Sequence, residues 1–528
     1  MRQELCRAVL VTVIATAMHS AVLAAEVKTT GGFVKGTSSP DGAFRIYRSI
    51  PYAAPPVGEF RWQAPRPVAA WQGVRDATEF GPRCLQGQIF SDIVFTDLSE
   101  DCLTLNIWTP AKSATDKLPV MVWIHGGGFQ AGAGAEPRHD GATFARKNIV
   151  LVTINYRLGV FGFFSHFELT RESGRNASGN YGMLDQVEAL RWVRDNIAAF
   201  GGDRDNVTIF GESAGSFAVS ALMASPLARG LFHKAIGESG AFFSSSRGTL
   251  GLKPLAEAEQ QGSTFAAAVG AKTLVDLRRM SGVEVLKAAL EAQPWFAPNI
   301  DGYFLPEDVQ SIFAAGKQVQ VPLLAGWNAD ESRVGVVLGK QTPTAESFAK
   351  GARARFGEMA DAVLKAYPAA TDAEAVESAA SLASDLFIGH ATWKWIETHK
   401  QTGQSPVYRY SFDRKIPVPA GHTVNYKAAT SRDIGARHAG EIEYVFGTLE
   451  LSLPKVPWEA SDRKLSAAMT TYWSNFARTG DPNGAGLPRW SRYDQTGRVL
   501  HLDETIRDAA DTHRVRYEAL DAYMSKQR

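Results

Sequence analysis

An α/β fold built on a central, mostly parallel sheet is what the middle of this sequence predicts, on three observations. Short β-branched runs alternate with stretches of helical periodicity between Leu118 and Ala224. The runs are apolar throughout, as strands buried on both faces are. Their order of strand, helix and strand implies a right-handed crossover between parallel neighbours.

The strands are read at Pro119-Val-Met-Val-Trp-Ile124, Ile149-Val-Leu-Val-Thr-Ile-Asn155 and Val207-Thr-Ile-Phe210. Between the last two, Leu184 to Phe200 carries Val187, Leu190, Val193 and Ile197 at helical spacing and stops at Gly201-Gly202, a natural helix end. A later strand is expected at Val321-Pro-Leu-Leu-Ala325, entering a loop at Gly326. Residues 255–315 and 345–400, rich in Ala, Leu and Glu, read as largely helical. No repeat, low-complexity tract or Pro/Ser-rich linker divides the chain, so residues 25–528 are expected to form one domain with helical insertions.

The start reads as a removable leader. Arg2 and Arg7 precede an apolar run from Ala8 to Ala17, too short to cross a bilayer, and small residues follow at Ala24 and Ala25. Export to the periplasm or the medium is the expectation, with a signal peptide over residues 1–24 and no stable membrane anchor. The chain holds 56 Lys and Arg against 55 Asp and Glu, and the leader takes Arg2, Arg7 and Glu4, so the remainder carries no net charge. That balance supplies no global field for nucleic acid or an anionic membrane. Of three cysteines, Cys6 lies in the leader and leaves the pair Cys84 and Cys102, which an oxidising compartment allows to join; two buried thiols are the alternative.

The chemistry begins at Gly211-Glu212-Ser213-Ala214-Gly215. A serine attacks an ester only with a base to take its proton, a carboxylate to orient that base, and donors for the oxyanion. Glycines two residues either side of Ser213 suit a strand that turns sharply into a helix, and the run to Phe210 before it and from Ser216 to Ser225 after it provides that setting. His125-Gly126-Gly127-Gly128-Phe129 directly follows a strand, where glycines free the backbone N–H groups to face an oxyanion. Gly127, Gly128 and Ala214 are the expected donors. His-Glu-x-x-His, Cys-x-x-Cys, P-loop and dinucleotide patterns are absent, so no metal or cofactor is expected; His438-x-x-Glu441 could hold a metal only with distant partners. Sequons begin at Asn176 and Asn206, the second in the strand before Ser213 and expected to be buried.

With these residues in place, the chain resembles the type-B carboxylesterases of the α/β-hydrolase superfamily, the group of para-nitrobenzyl-type esterases and cholinesterases. The likeness runs through Ile50-Pro-Tyr-Ala-Ala-Pro-Pro-Val-Gly58, Ser99-Glu-Asp-Cys-Leu-Thr-Leu-Asn106, Asn155-Tyr-Arg-Leu-Gly159, Gly179-Asn-Tyr-Gly182, Phe200-Gly-Gly-Asp203, Asp301-Gly-Tyr-Phe-Leu-Pro306 and Gly480-Asp-Pro-Asn-Gly484. It implies an α/β-hydrolase fold with helical insertions around the active-site entrance.

It also implies that Ser213, Glu331 and His438 form the triad. Glu331 follows from Gly326-Trp-Asn-Ala-Asp-Glu331, with Asp330 as the alternative acid and Ser332 where the family has glycine. His438 follows from Gly435-Ala-Arg-His438-Ala-Gly-Glu-Ile-Glu-Tyr-Val-Phe-Gly447; on its own residues it reads equally as a surface histidine or a helix cap near Glu441. Glu212 and Ser239 are carried over as supports of the triad, Arg61 and Glu100 as an ion pair, and Cys84–Cys102 as the first disulfide.

The implied activity is hydrolysis of small carboxylic esters through an acyl-enzyme, without a cofactor, by a monomer or homodimer. A lipase, thioesterase, amidase or carbamate hydrolase would use the same triad, and a non-catalytic binding protein would usually lack part of it. Cholinesterases place a Trp in the Cys-to-Cys loop, where this chain has only Phe90 and Phe95, so choline esters are expected to be poor substrates. Trp295, Phe296, Phe129 and Phe242 are candidates to line an apolar substrate pocket.

Overall fold

The computed structural model describes residues 23–89, 97–243, 251–419, 435–452 and 455–526, and backbone alone at 423–424 and 427–428. Residues 1–22 of the expected leader, and Phe90 and Phe95, lie outside the described residues.

One twisted sheet organises the chain. Its strands are β1 (Leu23–Lys28), β2 (Phe33–Ser38), β3 (Arg45–Pro51), β4 (Thr104–Thr109), β5 (Leu118–Ile124), β6 (Val150–Ile154), β7 (Gly202–Glu212), β8 (Lys234–Glu238), β9 (Leu323–Asn328), β10 (Val407–Phe412), β11 (Arg498–Leu502) and β12 (Arg507–Ala510). They lie side by side as β1-β2-β3-β4-β6-β5-β7-β8-β9-β10-β11-β12. From β6 to β11 every pair is parallel and the remaining pairs of this order are antiparallel, while a short strand at Val74–Asp76 joins β2 in parallel.

The alternation along the central strands explains the two cores. Val120, Val122 and Ile124 point to one face with Val207 and Ile209, while Met121 and Trp123 point to the other with Phe210. The first face is covered by α1 (Tyr181–Asn196) and α2 (Ala214–Ala224), which bury Val187, Leu190 and Phe217 against it. Helix α3 (Gly282–Ala292) lies at the edge of that same cluster, with Val285 buried and Leu286 half-buried. Helix α4 (Ala460–Thr479) covers the second face with Leu465, Met469 and Trp473. A separate cluster joins helices between residues 345 and 384 to Leu520, the insertion that the helical reading of 345–400 expected.

Two departures from the sequence reading have local causes. Strand β9 runs through Gly326 to Asn328 instead of stopping at the glycine. A Cβ at Gly326 would stand 2.4 Å from the Tyr410 carbonyl oxygen, so this glycine admits a neighbouring strand and makes no turn. Asn206 is half-buried and not enclosed: β7 pairs with β5 at Gly202 and again from Val207, and the irregular stretch between leaves 204 and 205 exposed. The Asn206 side chain accepts from Lys234 and donates to the Arg478 carbonyl.

Cys84 and Cys102 are joined by a disulfide with Cα atoms 5.0 Å apart. Beside it Arg61 pairs with Glu100 through Nε–Oε1 at 2.6 Å and Nη2–Oε2 at 2.7 Å, and its remaining nitrogen donates to the Met280 carbonyl. The disulfide spans 18 positions of sequence, so replacing both cysteines with serine is expected to lower the unfolding free energy by about 3 kcal/mol, read by urea denaturation. A loss below ~0.5 kcal/mol would assign the stability of this loop to the Arg61–Glu100 pair instead.

Candidate active site

The chemistry gathers at the carboxyl ends of the parallel strands, where an open α/β sheet places its ligands. Strand β7 passes Glu212 and turns at Ser213 into α2, with Ser213 at φ 52° and ψ −122°. A Cβ on Gly215 would stand 1.9 Å from the Ile124 carbonyl oxygen, and one on Gly211 2.6 Å from it. Both glycines are therefore demanded by the close approach of β5, and the turn has no wider path.

Three side chains meet at this turn. Ser213 Oγ lies 2.9 Å from His438 Nε2, and His438 Nδ1 lies 2.5 Å from Glu331 Oε2. Glu331 is fixed in turn, because its Oε1 accepts the Asn328 N–H at 2.7 Å. Asp330 turns away and caps the facing segment, its carboxylate accepting the Ala436 N–H at 2.8 Å. Of the two adjacent carboxylates, only Glu331 reaches the imidazole. Ser332 keeps a negative φ that a side chain tolerates, and its N–H donates to Ser384 Oγ at 3.1 Å.

The glycine loop after β5 lies against the same serine. A Cβ on Gly126 would come within 3.2 Å of Ser213 Cβ, and Gly127 and Gly128 have φ values of 96° and 61°. The N–H groups of Gly127, Gly128 and Ala214 donate to no partner among the described residues. Ala214 opens α2, so the helix dipole adds positive potential at the same place. No group of three His, Cys, Asp or Glu side chains able to hold a metal occurs among the described residues.

A sequence model of the carboxylesterase family matches residues 24–519. The chain belongs to the carboxylesterase family. The para-nitrobenzyl esterase of Bacillus subtilis (strain 168) is 36% identical over 502 residues, which cover 91% of this chain and 95% of that protein. The fumonisin B1 esterase of Sphingopyxis macrogoltabida is 35% identical over 503 residues, 90% of this chain and 86% of its own. A solved carboxylesterase structure from Geobacillus stearothermophilus superposes with a TM-score of 0.77 at 32% identity, covering 94% of this chain and 99% of that one. The fold is that of the α/β-hydrolases, and this carboxylesterase is a carboxylic ester hydrolase.

The imidazole of this carboxylesterase sits among buried carboxyls. Its Nε2 lies 3.3 Å from Glu212 Oε1, an oxygen that makes no hydrogen bond. Glu441 accepts from Ser239 Oγ at 3.1 Å and from Asn328 Nδ2 at 2.5 Å. Ser239 therefore connects to Glu331 only indirectly, through Glu441 and Asn328. Asn328 lies within the motif that locates Glu331, and Glu441 within His438-x-x-Glu441; spacing alone gave neither a role.

Burial disfavours a charged imidazole, but the carboxylates of Glu212 and Glu331, then Glu441, outweigh it and raise His438 to about 9. Burial raises Glu212 to about 8, against the pull of His438, and raises Glu441 to about 7. The direction for His438 is upward.

Phe387 is a neighbour that no sequence pattern marked. It stands in a π-helical turn, Asp385–Gly389, and meets the His438 ring edge-on at 5.3 Å while 41% exposed. Such turns recur at functional sites. Of the four aromatics considered for a pocket, Phe129 and Phe242 stack on each other in the core at 6.0 Å, whereas Trp295 and Phe296 border a cavity.

An imidazole that takes a proton from Ser213 must be neutral, so kcat/KM is expected to fall as pH drops through the His438 pKa. A raised pKa places this acid limb above the ordinary histidine value of about 6.5. Glu212→Gln removes one attracting carboxylate and is expected to move the limb down by roughly one unit, the equivalent of ~1.4 kcal/mol. A pH–rate profile in which the limb stays in place would contradict this coupling.

Proposed function

We propose that the ester is cleaved by Ser213 acting as nucleophile, with His438 as general base and Glu331 as the carboxylate that orients it. The continuous contact from Ser213 Oγ through His438 to Glu331, with donors free beside it, is the observation that carries this reading. Oγ attacks the carbonyl carbon as His438 Nε2 takes its proton. The imidazolium is stabilised by Glu331 through Nδ1–H. The carbonyl oxygen becomes an oxyanion held by the N–H groups of Gly127, Gly128 and Ala214. His438 then returns the proton to the leaving alcohol, and an acyl group remains on Ser213. Water activated by the same imidazole releases the acid.

Substrates on this reading are small carboxylic esters. Para-nitrophenyl esters are a natural assay, given the 36% identity to a protein named para-nitrobenzyl esterase. Choline esters fit poorly, because the sequence between Cys84 and Cys102 contains no Trp to face a quaternary ammonium. The leader with Arg2 and Arg7, supported by the disulfide, directs the chain out of the cytoplasm to the periplasm or medium. The mature chain from residue 25 then works as one domain, as a monomer or homodimer.

The test compares wild type and Ser213→Ala on para-nitrophenyl acetate and acetylcholine. The variant is expected to lose roughly a millionfold in kcat, with acetylcholine turned over poorly by wild type. Wild-type rates in the variant would remove Ser213 from the mechanism, and efficient acetylcholine turnover would overturn the substrate reading.

A further inference from the structure

The loop that carries Glu331 and the loop that carries His438 are both touched by one short helical stretch. The helix Asp372–Ser384 runs into the turn Asp385–Gly389 and on into the helix His390–Thr402. Across the turn the His390 N–H donates to the Asp385 carbonyl, five residues back instead of four, so the rod holds one residue more than an α-helix needs. At its start, Ser384 Oγ accepts the N–H of Ser332, the neighbour of Glu331. Three residues on, the Phe387 ring lies 5.3 Å from the His438 ring with 67° between the planes.

An added residue rotates everything beyond it by about 100° around the helix axis. Leu386 packs with the separate helical cluster and Ile388 with the main core, while Phe387 between them meets the imidazole. Two contacts hold the turn in this form. Asp385 is buried, and its Oδ2 accepts the Tyr367 hydroxyl at 2.7 Å. Its Oδ1 lies against Gly389, where a Cβ would stand 2.6 Å away, so the glycine leaves room for the carboxylate.

What the imidazole needs from its neighbours changes along the reaction. Before attack, His438 is held at both ring nitrogens, by Glu331 at Nδ1 and by the Ser213 hydroxyl at Nε2. Once Oγ carries the acyl group it has no proton to share, and Nε2 loses that partner. Glu331 and Phe387 remain against a side chain that is 27% exposed, while water must be aligned on Nε2. In this second step a water oxygen bonds to the acyl carbon as Nε2 takes its proton. The carbon–Oγ bond then breaks, and Nε2 returns the proton to Oγ.

We propose that the turn Asp385–Gly389 positions the general base, with Phe387 holding the His438 ring while the acyl group is released; the inference rests on the roles given above to Ser213, His438 and Glu331. Phe387 is a positioning residue, acting through the imidazole without touching the ester, and Tyr367 and Asp385 act through Phe387. The ring contact weighs most in the second step, when the serine hydroxyl no longer helps.

The experiment measures the two steps separately in wild type, Phe387→Ala, Phe387→Tyr and Tyr367→Phe. The value of kcat/KM on para-nitrophenyl acetate reports formation of the acyl-enzyme. Recovery of activity after labelling with para-nitrophenyl dimethylcarbamate, once excess reagent is removed, reports release. Phe387→Ala is expected to slow recovery by about threefold to tenfold, the worth of an edge-on aromatic pair, while kcat/KM changes by less than about twofold. Phe387→Tyr keeps a ring and recovers at the wild-type rate. Tyr367→Phe loosens the turn and slows recovery in the same sense; Phe387 is 41% exposed, so Phe387→Ala decides the matter if Tyr367→Phe fails to fold.

Equal losses in both steps in Phe387→Ala, or an unchanged recovery, would overturn the proposal. A change in the benzyl acetate-to-ethyl acetate ratio of kcat/KM in that variant would overturn it too, since the ring would then be touching substrate. Carbamylation retained in Ser213→Ala would instead remove the assignment beneath it, whatever Phe387 does.

Discussion

Three backbones converge at Ser213 without space for a side chain between them. The end of β5 presses its Ile124 carbonyl oxygen onto Gly211 and Gly215, and the chain can pass only by placing Ser213 at positive φ. A non-glycine residue there carries strain on the order of 1–3 kcal/mol, supported by the sheet on one side and α2 on the other. The same approach carries the residues after Ile124 onto the serine, so that Gly126 lies against Ser213 and the next two N–H groups are left free. The strained turn at Ser213 and the free N–H groups beside it thus follow from one packing constraint.

Charge is the second constraint on this site. Glu212, Glu331 and Glu441 are buried close to one imidazole, with Glu238 buried near Glu212 and Glu441, yet only Glu331 is hydrogen-bonded to the imidazole. Burial pushes Glu212, Glu238 and Glu441 upward, because negative charge without a compensating partner is costly in a low dielectric. Glu238 shows how the remaining polarity is met, with Trp473 Nε1 donating to it at 2.8 Å from the opposite core. The hydrogen-bonded path from Ser239 through Glu441 and Asn328 to Glu331 holds the acid in place.

The turn at Ser213, the glycine loop and the crossover strands were legible in the sequence because each has a local cause: a glycine where a Cβ would collide, an apolar run where both faces are covered. The choice between Asp330 and Glu331 had no local cause. Adjacent carboxylates point to opposite sides, and only the arrival of Ala436 and His438 from a distant segment assigns them. Glu441 and Phe387 were illegible for the same reason, since burial beside His438 and a π-helical turn are properties of the assembled fold. At Gly326 a true observation carried the wrong meaning: the glycine makes room for Tyr410 and ends nothing.

That Ser213, His438 and Glu331 act as one chemical unit is tested most directly by covalent labelling with a fluorophosphonate, located by peptide mass mapping and timed in each variant. One label on the peptide containing Ser213 is expected in wild type. Labelling slows by several orders of magnitude in His438→Ala and to a smaller extent in Glu331→Gln. A label on a different serine, or a wild-type labelling rate in His438→Ala, would contradict the account.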